Sequence, residues 1–466
     1  MKPEELQSWL INTALSDELN VVTRALVLSD LDNVTPDVSL KKEVLSVDWK
    51  RLLLAGSILA QSNQRPFVEA ALRIATAAVT LQSDAAIRDG GAILLQKLSN
   101  YRSVDLADDR HLVGPSIDER LGVSSRIEAL NRSLDNSVLI EHSGQWLKVN
   151  PFQQNFWIEA NRNSWISASA PTASGKTFLV LQWLLDQVTS FDVRVAVYLA
   201  PTRALVSEIE DNLNTLIKNE KLSGISVTSL PLAEKYTDAL AEKDRVVYVL
   251  TQERLHLLAN ALNDHFSVDL VVADEAHKVG DRLRGVVLQD ALERTFRNNP
   301  HSRFIFVSPA TQNPETLLED APVDLSKSSV DSDAPTVLQN VILASQRPLK
   351  TQLWDLKLRQ TNNSELELGT LALPARPTTL KKKLALIAAA AGARGGTLVY
   401  TNGAAEAEEV ALLISQALER PESKVDAELA ALSDLAKRGV HEKYLLASLA
   451  KLGVAFHYGN MPDLHP

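Results

Sequence analysis

The sequence predicts an α/β protein: a parallel-sheet domain, an all-α region before it and resumed α/β patterning after it. Three observations carry that prediction. Between residues 145 and 320, short apolar runs alternate with amphipathic stretches, the pattern of parallel strands joined by crossover helices. Several of those runs are continuously apolar, as strands covered on both faces require. Before residue 135 the apolar residues recur at helical spacing instead.

In the first region, Leu6, Trp9, Leu10 and Leu15 keep close to helical spacing. Trp49, Leu52, Leu53, Ile58 and Leu59 do the same, as do Leu72, Ala75, Val79 and Leu81 after Pro66. A further helix is expected over Ile93–Leu98. Sparse aromatics (5%) and abundant alanine and leucine also lean toward helix. The region reads as successive helical hairpins with no repeated consensus.

In the second region the expected strands are Trp165–Ala170, Val193–Leu199, Val246–Thr251, Val268–Ala273 and Arg303–Ser308. Pro322–Pro335 is rich in Ser, Asp and Pro and reads as an inter-domain linker. A strand-like segment follows over Val337–Lys357, with another break at Pro374–Thr379. Helix Leu380–Ala391, strand Thr397–Thr401 and helix Ala404–Ala417 then resume the α/β pattern. A helical insertion is expected over Ser423–Leu452 and a last strand over Gly453–Tyr458.

A chain of 466 residues with 45% hydrophobic content has enough apolar material for two or three domains. With no cysteine, it has neither disulfides nor thiolate metal sites, which fits a reducing compartment. The N-terminus shows no basic stretch followed by an apolar core, so no secretion signal is expected. No apolar run approaches the ~20 residues that span a bilayer. The expectation is a soluble, cytoplasmic protein with no membrane partner. A net charge of −10 argues against a broad polycationic surface, while leaving room for a local basic groove.

The chemistry concentrates in two segments. Ala170-Pro171-Thr172-Ala173-Ser174-Gly175-Lys176-Thr177 follows an apolar strand and opens a helix. Backbone N–H groups at such a helix start cradle phosphates. Lys176 is placed to reach the β- and γ-phosphates, and Thr177 to hold Mg²⁺. Ala170 and Ala173 stand where glycine is common, but both are small enough for the loop to close. Thr172, Ser174 and Gly175 complete the loop. The second segment, Asp274-Glu275-Ala276-His277, ends an apolar strand. A carboxylate there lies at the rim where ligands bind in such sheets. Asp274 is expected to hold Mg²⁺, and Glu275 to orient and deprotonate an attacking water. The pair of segments implies ATP and Mg²⁺ as ligands.

These segments resemble motifs I and II of the superfamily 2 DEAD/DEAH-box helicases, in the branch with accessory domains related to the archaeal repair and RNA-surveillance helicases. Further segments match in family order across residues 150–315. Pro201-Thr202-Arg203-Ala204-Leu205 resembles motif Ia and Thr251-Gln252-Glu253-Arg254-Leu255 motif Ib. The resemblance implies that both touch a nucleic-acid backbone, with Arg203 and Arg254 on phosphates and Thr202 and Thr251 as hydroxyl donors. Ser308-Pro309-Ala310-Thr311 resembles motif III, which implies coupling of ATP state to strand binding through Ser308 and Thr311, with His277. Gln153 stands where the family has its adenine-reading glutamine, Gln154 being the alternative. Arg303 reads as structural. Leu398-Val399-Tyr400-Thr401-Asn402 resembles motif IV, and Gly453–Gly459 the segment after it. Its His457 is as compatible with a strand-end packing role as with a contact to nucleic acid or the other lobe.

The resemblance implies RecA-like domains with these boundaries: a helical accessory domain over 1–140, RecA-like domain 1 over 141–325, a connecting segment over 326–395 and an incomplete RecA-like domain 2 over 396–466. Motifs V and VI, with the arginine finger, are expected beyond Pro466, so weak hydrolysis is expected of this chain alone; that finger is typically worth ~10³-fold or more. Three functions follow. The first is an ATP-dependent helicase or translocase on DNA or RNA, probing a single strand. The second is an ATP- and nucleic-acid-binding module that does not move. The third is the helicase component of a bacterial antiviral system, with a protein partner engaged through the helical region. No aromatic-rich base platform supports sequence-specific readout.

Overall fold

The computed structural model describes residues 2–36, 39–114, 117–191, 193–242, 244–262, 265–392, 395–418, 426–459 and 461. The first third is helical, as its periodicity predicts: α1 (Pro3–Trp9), α2 (Ser16–Ser29), α3 (Leu40–Leu45), α4 (Trp49–Leu59), α5 (Arg65–Leu81), α6 (Ala85–Lys97), α7 (Tyr101–Asp109), α8 (Ile117–Arg120) and α9 (Val123–Asp135). A two-residue strand, β1 (Val34–Thr35), interrupts it, and a hairpin of β2 (Ser137–Ile140) and β3 (Gln145–Lys148) follows.

From there strands and helices alternate. The elements are α10 (Pro151–Arg162), β4 (Trp165–Ser169), α11 (Lys176–Ser190), β5 (Val195–Leu199), α12 (Arg203–Asn219) and β6 (Ile225–Thr228). After them come α13 (Ala233–Glu242), β7 (Arg245–Leu250), α14 (Gln252–Ala261), β8 (Leu270–Ala273), α15 (Arg282–Asn298), β9 (Arg303–Ser308) and β10 (Lys327–Asp331). The remainder holds β11 (Val341–Gln346), β12 (Leu353–Arg359), β13 (Glu365–Ala372), α16 (Leu380–Ala391), α17 (Ala404–Ala417), α18 (Ala427–Gly439) and α19 (Leu445–Ala450).

The chain divides into two units, one of residues 55–75 and 89–338, the other of residues 1–54, 76–88 and 339–466. The first unit is built on a seven-stranded sheet of order β10-β4-β9-β8-β5-β7-β6 in which every ladder is parallel. Side-chain alternation along each strand feeds two cores. Ile166, Tyr198, Val272 and Ile305 pack on one face with α10, α11 and α12. Trp165, Val197, Val271 and Phe304 pack on the other with α13, α14 and α15. All five residues of β4 and of β5 are buried, which is why both strands read as unbroken apolar runs.

The helix starts are set by side chains. Asn150 accepts from the Gln153 N–H at the head of α10, with Pro151 at the first helical position. Thr202 caps α12 and Thr251 caps α14 in the same way. Among the described residues, no helix is long and apolar enough to cross a membrane.

The sequence reading needs correction in three places. The stretch Pro322–Pro335 is not all linker, because its Lys327–Asp331 portion is β10. Only Val330 of that strand is buried, so an edge position disguises it as a polar loop. The strand-like segment Val337–Lys357 separates into β11 and β12, which join β13 and β1 in a four-stranded antiparallel sheet of the second unit. Trp354, Leu356 and Leu371 of that sheet pack with Val27 of α2 and Ala390 of α16. The runs Thr397–Thr401 and Gly453–Tyr458 carry no sheet ladder, and Leu398 and Tyr400 remain exposed. Their apolar residues resemble a strand locally, but a strand exists only where a neighbour pairs with it. The expected insertion is present as α18 and α19, its residues 423–425 lying outside the described set. His457 is exposed.

Candidate active site

The phosphate loop leaves the buried end of β4. Ala173 and Gly175 both adopt left-handed backbone, with φ of 68° and 74°. These two turns bring the chain into the first turn of α11, so that Lys176 begins the helix. The Lys176 ammonium folds back over the loop, donating to the Pro171 carbonyl at 2.8 Å and to the Ala170 carbonyl. Burial pulls its pKa below the ordinary lysine value, while the carboxylates of Asp274 and Glu275 oppose that shift. Lysine and acidic pair, distant in sequence, are therefore electrostatic neighbours. Ser174 is 5% exposed, and its hydroxyl has no protein partner.

Gly175 is required twice over. Its φ is costly for any side chain, and an added Cβ would lie 2.6 Å from Nε2 of Gln153. Gly175→Ala is expected to cost about 1–2 kcal/mol for the backbone alone. Adding Gln153→Ala removes the collision but not the strain, so the double variant should lose less than the sum of the singles. Thermal unfolding of the three variants checks this, and strict additivity would rule the collision out.

Asp274 follows β8. One carboxylate oxygen accepts from the Tyr198 hydroxyl at 2.9 Å and the other from the Glu275 N–H at 2.8 Å. Burial pushes the Asp274 pKa up, and those two hydrogen bonds pull it back in part. Glu275 sits in left-handed backbone at φ 54°, and its carboxylate lies 3.5 Å from Nε2 of His277. This non-glycine outlier turns the chain sharply at the rim of the sheet.

Strand β9 lies between β4 and β8, so the Ser308–Thr311 segment emerges between the phosphate loop and the acidic pair. It is tied to the loop's own strand. The Ser169 hydroxyl donates to the Pro309 carbonyl at 2.9 Å. Having spent its proton, it accepts from the Thr311 N–H at 2.9 Å and from the Thr311 hydroxyl at 3.1 Å. The Ser308 hydroxyl is buried without a protein partner.

On the other side of β8, strands β5 and β7 are paired neighbours, so Thr202-Arg203 and Thr251–Arg254 emerge side by side. Thr202 and Arg203 are exposed, whereas Thr251 is buried. Both threonine hydroxyls accept the capping N–H of their own helix, from Leu205 and Arg254 respectively. Arg254 donates to the Ser229 carbonyl at 2.8 Å.

Of the two glutamines, Gln153 faces the loop: its Oε1 accepts from the Asn150 N–H at 2.9 Å, and its Nε2 donates to the Ser174 carbonyl at 3.2 Å. Gln154 instead donates to the Asp135 carbonyl. Arg303 donates to Gln187 at 2.6 Å and to the Ala160 carbonyl, and stands 5.0 Å over the Trp183 ring, a structural role as expected.

Three participants escaped the sequence. Tyr198 carries a detectable signal in retrospect: it pairs with Val272, two residues before Asp274, so both project from the same sheet face. Ser169 pairs with Ser308. Thr336, in the stretch after β10, donates to the Ala173 carbonyl at 2.9 Å, and only the unpredicted strand brings it there.

Comparison with known proteins agrees with this geometry. The DEAD/DEAH box helicase family matches residues 150–319. The ATP-dependent DNA helicase Hel308 of Thermoplasma volcanium is 28% identical over 168 residues, which are 35% of this chain and 23% of that protein. Hel308 of Methanocella arvoryzae is 26% identical over 309 residues, 64% of this chain and 38% of that protein. The Hachiman protein HamB of Bacillus cereus is 29% identical over 150 residues, 30% of this chain and 13% of that protein. The chain thus spans well under half the length of each of these relatives. Family match, loop, acidic pair and seven-stranded parallel sheet coincide, and residues 150–319 form a DEAD/DEAH-box helicase domain.

Proposed function

We propose that the chain is the ATP-hydrolysing part of a nucleic-acid helicase or translocase acting on a single strand of DNA or RNA. The observation that carries this reading is the order of segments along one edge of the sheet. Phosphate loop, Ser308–Thr311, acidic pair, and the turns at Thr202 and Thr251 emerge side by side from β4, β9, β8, β5 and β7. Nucleotide chemistry lies at one end of that row and backbone-binding groups at the other, with a hydrogen-bonded bridge next to the loop.

In this reading Lys176 exchanges the loop carbonyls for β- and γ-phosphate oxygens. Thr177 and Asp274 would hold Mg²⁺. The site suits a cation, since Asp274 is a partly buried carboxylate whose charge the protein relieves only in part. Magnesium, when bound, neutralises phosphate charge. Glu275 takes a proton from water as the water oxygen bonds to the γ-phosphorus. The bond to the β–γ bridging oxygen breaks, and ADP departs with that electron pair. Arg203, Arg254 and the exposed Thr202 hydroxyl hold backbone phosphates, the buried Thr251 serving instead to cap the helix that carries Arg254, and His277 with Ser308 and Thr311 relays the nucleotide state.

Ser169→Ala tests the bridge. It removes the group that both Thr311 contacts use while leaving the lysine and acidic pair in place. Each lost hydrogen bond is worth about 1 kcal/mol, so the stimulation of ATP turnover by single-stranded oligonucleotide is expected to fall about 5- to 30-fold. Unchanged stimulation would argue against coupling through Ser169.

A further inference from the structure

We infer that helix α7 of the helical region forms one wall of the nucleotide's base site, so that base affinity depends on residues outside the helicase domain. The inference rests on the reading that the phosphate loop binds a nucleoside triphosphate.

A cleft of about 960 Å³ opens directly from the phosphate loop. Ala173, Ser174, Gly175 and Gln153 line one side, and Tyr101, Arg102, Asp105 and Leu106 of α7 another. Three phosphates fill only a small part of such a space, which leaves room for a nucleoside. Two features show that the loop and α7 belong to one site. First, Ser174, with its buried and unpartnered hydroxyl, lines the cleft where it meets the loop. Second, a hydrogen-bonded chain holds α7 to the loop. Thr336 Oγ1 donates to the Ala173 carbonyl at 2.9 Å, and Asn100 Nδ2 at the head of α7 donates to the Thr336 carbonyl at 2.8 Å. Ser103 Oγ closes the turn on Asn100 Oδ1 at 2.9 Å.

The lining has the chemistry of a purine site. A base needs flat apolar contact and partners for its polar edge. Phe178, 44% exposed in the first turn of α11, and Tyr101 provide aromatic surface. The Lys148 ammonium stands 5.6 Å over the Tyr101 ring and fixes it from one side. Asp105 is exposed and offers a carboxylate to an exocyclic amine. Gln153 already has its oxygen on the Asn150 N–H and its amide nitrogen on the Ser174 and Gly175 carbonyls, at 3.2 and 3.5 Å, which leaves little of it for a base. Asp105 on α7 supplies the missing acceptor.

Titration calorimetry of the full chain with Mg-ATP and with inorganic tripolyphosphate separates base from phosphate binding. The wild type is expected to bind both, ATP more tightly. Asp105→Ala, at an exposed helix position that leaves folding intact, and Tyr101→Leu should each weaken ATP about tenfold, or 1.4 kcal/mol. Neither should alter tripolyphosphate binding, while Lys176→Ala weakens both ligands. ATP binding by the α7 variants at wild-type strength would overturn the inference, as would equal wild-type affinity for the two ligands. Failure of the wild type to bind either ligand would instead sink the functional reading, and the inference with it.

Discussion

Replacing Glu275 by glutamine is expected to lower ATP turnover by about 10²–10⁴-fold while ATP still binds, because a positioned general base typically contributes that much. The substitution keeps the shape of the side chain and removes its negative charge together with its ability to take a proton. It leaves in place Lys176 and the loop, the groups proposed to hold the phosphates. Glu275 lies two residues past the buried end of β8, in left-handed backbone and half-exposed. Turnover should therefore collapse with little change in the dissociation constant for ATP. Calorimetric binding alongside steady-state phosphate release makes the comparison. A proportionate loss of binding would mean that Glu275 holds ligand rather than activating water.

Asp274→Asn is expected to abolish turnover and, in the nucleotide-free protein, to raise stability. The sign follows from the direction of the pKa. Burial holds the folded-state pKa of Asp274 above that of the unfolded chain, so the folded form binds the proton more tightly. That stabilisation is complete below the ordinary carboxylate pKa of about 3.9 and is lost as pH rises through the raised folded value. At neutral pH the partly buried charge is a burden that a bound cation would relieve. Asparagine removes it at a smaller cost: its oxygen can accept the Glu275 N–H, while the Tyr198 O–H loses its carboxylate acceptor and can only receive a hydrogen bond from the amide. A gain on the order of 1 kcal/mol would raise Tm by about 2–4 °C at neutral pH. The margin over wild type should grow from acid to neutral pH and then level off. A lower Tm for the variant at pH 7 would show that the carboxylate is already compensated by its surroundings. This is a stability–function exchange of the kind found where active sites hold unfavourable charge.

How much of this was legible in the sequence depended on how local each feature is. The loop and the acidic pair are contiguous segments whose strand and helix contexts can be read directly, and β4, β5, β8 and β9 announce themselves as apolar runs. Strand β10 was hidden because an edge strand with one buried residue, Val330, need not look apolar. The runs at Thr397–Thr401 and Gly453–Tyr458 failed in the opposite sense: their residues suit strands, but no ladder forms around them. Tyr198 and Ser169 matter only through sheet order, which puts β8 beside β5 and β9 beside β4, and no local pattern encodes that order. The cleft beside α7 is more remote still, since it depends on residues near 100 and near 336 meeting at the phosphate loop.

The most direct test of the central claim is ATP hydrolysis by the full chain with and without single-stranded DNA or RNA, in parallel with Lys176→Ala. The account predicts slow turnover that rises when a strand is added and disappears in the variant. Turnover indifferent to every strand, or unaffected by loss of Lys176, would contradict it.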